Sequence, residues 1–186
     1  MNGPDGLLGE LSTAHRAVEA LLRRLDTVHA RGEHAVADGH RLLAELDRLL
    51  DEHLTAEETS FYPLVRQYLP AGRALADAAA HTHETVRRLL ARAMDERLPA
   101  ADRTHCTGAL LVLLRAHLSG ENERLFPLVR AAVPAAELRR CADRLAGARR
   151  AGPCSPVWGL PPGTGAIASL RDRFTGHDST DRPHGP

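Results

Sequence analysis

Two stretches of this 186-residue chain, HLTAEETSFYPLV from His53 and HLSGENERLFPLV from His117, repeat one another at a constant offset of 64 residues. The match extends upstream, pairing Leu46 with Leu110 and Leu50 with Leu114, and downstream to Pro63 and Pro127. A second pair, HRAVEALL from His15 and HETVRRLL from His83, repeats at an offset of 68. A duplicated two-helix hairpin accounts for both offsets, the four-residue difference being absorbed by a longer loop between the first two helices. Under the pseudo-twofold symmetry of such a duplicate, each residue faces its repeat partner across the interior.

Apolar residues recur at steps of three and four in four blocks, the period of a helix with one buried face. The seams run Leu8, Leu11, His15, Val18, Leu22, Leu25; then Leu43, Leu46, Leu50, His53, Glu57, Phe61, Leu64. The third and fourth run Ala76, Ala79, His83, Val86, Leu90, Ala93 and Leu110, Leu114, His117, Glu121, Leu125, Leu128. With 29 Leu and 30 Ala against nine Val and one Ile, the chain favours helix over strand. The expected fold is all-α: an up-down-up-down four-helix bundle with a short C-terminal fifth helix over about 134–149 and a Pro/Gly-rich tail. Pro63 should kink or reset the second helix, since it lacks a backbone donor and its ring crowds the preceding turn. Twelve of the residues in 151–186 are Pro or Gly, a composition that cannot bury enough apolar surface to order itself. The folded domain is therefore expected over 5–150, with a largely irregular tail over 151–186.

The seams place polar residues where apolar ones belong. His15, His53 and Glu57 on one hairpin face His83, His117 and Glu121 on the other, and residues four apart lie one helical turn apart on one face. Burying four imidazoles and two carboxylates without partners costs several kcal/mol per charge, comparable with a domain's whole stability of about 5–15 kcal/mol. Bound metal is the simplest compensation, because neutral His and ionised Glu are both ligands and a carboxylate can bridge two cations. A lone buried His, or one His and Glu at this spacing, is usually an ordinary hydrogen-bonded residue; two matching pairs and a symmetric pair of seam histidines are not. Imidazole and carboxylate without thiolate suit Fe, Mn or Zn. The E-x-x-H spacing of ferritin-like sites is absent.

Other features narrow the function. The 24 Arg balance 24 Asp and Glu with no basic block, so no nucleic-acid partner is expected. The longest apolar run, Ala109 to Leu114, is far short of the roughly 20 residues that span a bilayer. The amino-terminal MNGPDGLLGE lacks the basic start and apolar stretch of a secretory signal, and Cys106, Cys141 and Cys154 form no C-x-x-C pair. A cytoplasmic protein with reduced thiols and no membrane partner is expected.

The pattern His15, His53-LTA-Glu57, His83, His117-LSG-Glu121 resembles the hemerythrin and HHE cation-binding family over about residues 7–130. The resemblance implies two non-haem Fe ions with an oxo or hydroxo bridge, with His15, His53, His83 and His117 as terminal ligands and Glu57 and Glu121 as bridges. It also implies a small diatomic or peroxide as the binding partner. Oxygen-carrying members have a further ligand His one turn before the His83 position, where this chain has Ala79. That departure favours reaction with peroxide or nitric oxide over reversible oxygen carriage. His81 lies about 200° round the helix from His83 and is expected to point away. Glu19 falls beside its seam opposite Arg87, and Glu58 and Asn122, about 100° from the bridging glutamates, are expected at the periphery. The alternatives are an iron- or redox-responsive regulatory module and a structural bundle holding Zn or no metal.

Overall fold

The computed structural model describes residues 6–31 and 36–150; the tail expected over 151–186 lies outside the described residues. Every regular element among the described residues is a helix. Helices α1 (Gly6–Ala30), α2 (Val36–Ala56), α3 (Tyr62–Tyr68), α4 (Gly72–Met94), α5 (Ala100–Gly120), α6 (Phe126–Ala132) and α7 (Ala135–Arg150) follow in order. Two π-helical segments, Glu57–Phe61 and Glu121–Leu125, join α2 to α3 and α5 to α6. The second helix begins near residue 36 rather than 40; Ala37 and Asp38 in its first turn are exposed, so the apolar period does not mark that start.

Helix α1 packs against α2 and α5, and α4 packs against the same two helices, so the four long helices form a bundle. The fifth, α7, lies against α1 and the first π segment. The seams build two apolar clusters rather than one. At one end Leu7, Leu8 and Leu11 meet Phe61, Val65, Phe126 and Val129, with Leu138 and Ala142 of α7. At the other, Val18, Leu22 and Leu25 meet Leu46, Leu50, Leu90, Leu110 and Leu114. Each fully buried Leu contributes about 2 kcal/mol of transfer free energy. The layer between the clusters is polar: His15 sits between Leu11 and Val18 in its seam, and the other seam histidines and glutamates fall at the same level.

One glycine sets the entry of α4. A Cβ on Gly72 would lie 1.9 Å from the Val65 carbonyl oxygen, so only glycine lets α4 begin this close to α3. One seam residue departs from expectation. Leu128 is 52% exposed, and Phe126 and Val129 are buried in its place. The extra residue in the π segment rotates the following helix by about 100°, which carries the strict three-and-four period out of register.

Candidate metal centre

The sequence builds the centre from four helix faces. His15 comes from α1, His53 from the last turn of α2, His83 from α4 and His117 from the last turn of α5; Glu57 and Glu121 open the two π segments. In those segments the Tyr62 N–H donates to the Glu57 carbonyl and the Phe126 N–H to that of Glu121, five residues back rather than four. Pro63 and Pro127 follow at once. In a regular α-helix a proline ring crowds the carbonyl four residues back, and a widened turn gives it room. The reset that Pro63 predicts is thus a π turn, repeated in both halves.

All six side chains meet in the polar layer, His117 being the most exposed at 6% and Glu121 next at 4%. Glu57 faces both halves. Its Oε1 lies 3.3 Å from His15 Nε2 and 3.1 Å from His53 Nε2, while Oε2 lies 3.3 Å from His83 Nε2 and 3.6 Å from His117 Nε2. Glu121 is placed differently: Oε2 lies 3.3 Å from His15 Nε2 and 3.6 Å from His117 Nε2, and Oε1 accepts a hydrogen bond from the Tyr62 hydroxyl. The donors resolve into two groups that could each hold an ion, His15, His53, Glu57 and Glu121, and Glu57, His83 and His117.

The donor set fits metal on its own chemistry. His53 Nε2, Glu57 Oε2 and Glu121 Oε2 are buried and make no hydrogen bond, although imidazole and carboxylate stand within 4 Å of each other. Buried polar atoms are rarely left so, and a cation between them satisfies all at once.

Two contacts beyond the six fix which nitrogen faces inward. His15 Nδ1 lies 2.9 Å from Asn122 Oδ1, and His83 Nδ1 lies 2.8 Å from Glu58 Oε1. Amide and carboxylate oxygens only accept, so Nδ1 carries the proton in both rings and Nε2 is left to face the cluster. Arg87 holds Glu58 through two bonds of 2.9 and 3.1 Å. Phe126 stacks on His15 at 5.1 Å, and its repeat partner Tyr62 meets His83 edge-on at 5.7 Å.

Charge in the ion-free cluster follows from the same geometry. Burial opposes protonation of His15, but the Glu121 and Glu57 carboxylates override it and raise its pKa to about 9. His83 is raised to about 9 in the same way by Glu57 and Glu58. Burial pushes the Glu57 carboxyl up, yet His53, His117 and His15 around it hold it well below the ordinary range. Glu121 moves the other way, raised by burial and by the charge of Glu57. Burial and the neighbouring carboxylates likewise raise the Tyr62 phenol, which stays a donor.

A family model described as the hemerythrin HHE cation binding domain matches residues 7–129. The chain belongs to the hemerythrin HHE family. No curated protein and no solved structure matches it. In this hemerythrin HHE chain, Ala79 is half-buried and lines a cavity of about 400 Å³ that reaches Tyr62, His117 and Glu121. His81 is exposed, and Glu19 is half-buried outside both donor groups. His29 and His105 are exposed, and His40 lies 3.5 Å from Glu96 at the far end of the bundle.

Glu58 and Asn122, expected at the periphery, instead orient His83 and His15. Tyr62 was not among the expected site residues at all. A signal for the first two was present in the repeat: positions 58 and 122 are partners at the same offset of 64, and both carry an acceptor oxygen.

Proposed function

We propose that this chain is a non-haem di-iron protein that reacts with O2, nitric oxide or peroxide, holding two iron ions joined by an oxo or hydroxo bridge. The observation that carries the reading is the inequality of the two donor groups. His15, His53, Glu57 and Glu121 make one, while Glu57, His83 and His117 make a smaller one. His117 of the smaller group and Glu121 of the larger both line the cavity beside Ala79, so a small partner would reach the centre from that side. In this reading Glu57, common to both donor groups, would hold both ions, and Glu121, its Oε1 accepting from Tyr62, would hold mainly one.

A ferrous pair supplies two electrons to a small oxidant. The chain's own residues do the rest. Asn122 and Glu58 aim the imidazoles of His15 and His83, and the Leu-rich clusters on either side keep bulk water out. Tyr62 keeps its proton at Glu121 Oε1, next to the cavity. Two carboxylates against two divalent cations leave the centre cationic, which favours a small neutral or anionic partner over nucleic acid or membrane. Among the described residues no helix is long and apolar enough to cross a membrane. We place the protein in the cytoplasm with its long helices running alternately up and down.

The test is metal analysis of protein purified without added metal, followed by stopped-flow mixing of the ferrous form with peroxide and with nitric oxide. Two Fe per chain, near-ultraviolet absorption of oxo-bridged ferric iron after oxidation, and rapid reaction are expected. One Zn, a single mononuclear ion at saturation, or no metal overturns the reading.

A further inference from the structure

The cavity beside the centre is larger than its proposed small oxidant requires. A diatomic or peroxide needs little more than the volume of a water, about 30 Å³, against about 400 Å³ here. Its deep side is formed by buried Tyr62 and Glu121 with His117, and its outer side by Leu75 and Leu128. Those two are 38% and 52% exposed, and with Val112 they are the exposed large hydrophobic residues among those described. Small residues keep the space open: Ala79 in the wall, and Gly120, across which the Arg124 guanidinium lies. A Cβ at Gly120 would meet Arg124 Nη2 at 3.1 Å. Arg124 is exposed and makes no ion pair among the described residues.

An open, mostly apolar groove with one guanidinium beside it selects a molecule with an apolar body and a single negative charge. We propose that this cavity is a binding site for a small organic monocarboxylate, its body between Leu75 and Leu128 and its carboxylate on Arg124. The inference deepens the di-iron reading by naming a second, organic substrate class for the same centre, and rests on that reading only for the chemistry after binding. Binding itself depends on the cavity and Arg124.

The experiment titrates benzoate into the ¹⁵N-labelled full chain, metal-free and zinc-loaded, and follows the amide signals of Ala79, Ala116 and Gly120. Saturable shifts at these residues are expected. Benzyl alcohol, of similar shape without the charge, should bind about tenfold more weakly, as should benzoate to Arg124→Gln, the loss expected for one charge-assisted hydrogen bond. Ala79→Met should fill the cavity and abolish the shifts, and Leu128→Gln, on the exposed side where folding is not at stake, should weaken them. The absence of saturable shifts in the unmodified chain overturns the proposal, as does equal binding of benzoate and benzyl alcohol. Metal content measured on the same samples separates the two readings: benzoate binding by a chain that takes up no iron sinks the di-iron reading alone, and iron without benzoate binding sinks this one alone.

Discussion

Replacing Glu58 by Ala removes no proposed ligand, yet it should weaken metal binding. The Glu58 carboxylate accepts from His83 Nδ1 at 2.8 Å and from Arg87 at 2.9 and 3.1 Å. Burial works against its charge, but His83 and Arg87 hold its carboxyl below the ordinary value, so the contact to His83 is charge-assisted. Such a bond contributes about 1.5–3 kcal/mol, against about 0.5–1.5 for a neutral one. Glu58 is 36% exposed, so solvent screening puts the loss near the lower end, about tenfold in affinity. Asn122→Ala removes a neutral acceptor from His15 and should cost less than tenfold. Glu58→Gln keeps an acceptor for the ring and should fall between Glu58→Ala and the unmodified protein. Competition with a chromogenic chelator for Zn or ferrous iron at fixed pH measures all three. An unchanged affinity in Glu58→Ala, or a greater loss in Asn122→Ala, would refute the reasoning that these outer acceptors set the ring orientation.

The two glutamates should not be equivalent: Glu57→Gln, altering the residue common to both donor groups, should lose both ions, whereas Glu121→Gln should lose mainly one and Glu19→Ala neither, as read by metal stoichiometry. In the metal-free chain the raised His15 and His83 pKa values stabilise the fold fully below pH 6.5, and that contribution is lost as pH rises through about 9. The depressed Glu57 acts in the opposite sense, stabilising above its ordinary pKa of 4.5 and losing that contribution as pH falls. Urea midpoints should therefore decline between pH 6.5 and 9 without metal and stay flatter with metal bound, where the imidazoles are already neutral; parallel curves would count against the assignment. Gly72→Ala puts a Cβ against the Val65 carbonyl and should destabilise the chain by about 2 kcal/mol or more, with an unchanged urea midpoint as the contrary result.

The helices were legible because Leu and Ala repeat at three and four residues, and the buried residues of α1 include every member of its seam. What escaped was whatever does not repeat. The first turn of α2 has exposed Ala37 and Asp38 and so gives no periodic signal. Leu128 obeys the period and is nonetheless exposed, because the period presumes 3.6 residues per turn and the chain leaves that geometry at Glu121. Its partner Leu64 stays buried, since α3 is covered by α4.

The six inward residues were legible for the opposite reason: they are the positions at which the two halves agree. Each half supplies one seam His and one His-x-x-x-Glu, and duplication retains them where both halves face the same polar layer. The differences between the halves carry what the six cannot. At position 62 the first half has Tyr and at its partner 126 the second has Phe, so a hydroxyl reaches Glu121 Oε1 and none reaches Glu57. Glu57 is thereby left to share both oxygens across the layer, and Glu121 joins one donor group only. At position 58 the first half has Glu and at 122 the second has Asn, so the ring of His83 is held by a charge and that of His15 by a neutral amide. The cavity is lined by one residue from each donor group, His117 and Glu121, neither of which belongs to both. Symmetry in the sequence locates the cluster, and its breaking at positions 58 and 62 decides which ring is held by a charge and which carboxylate accepts from a phenol.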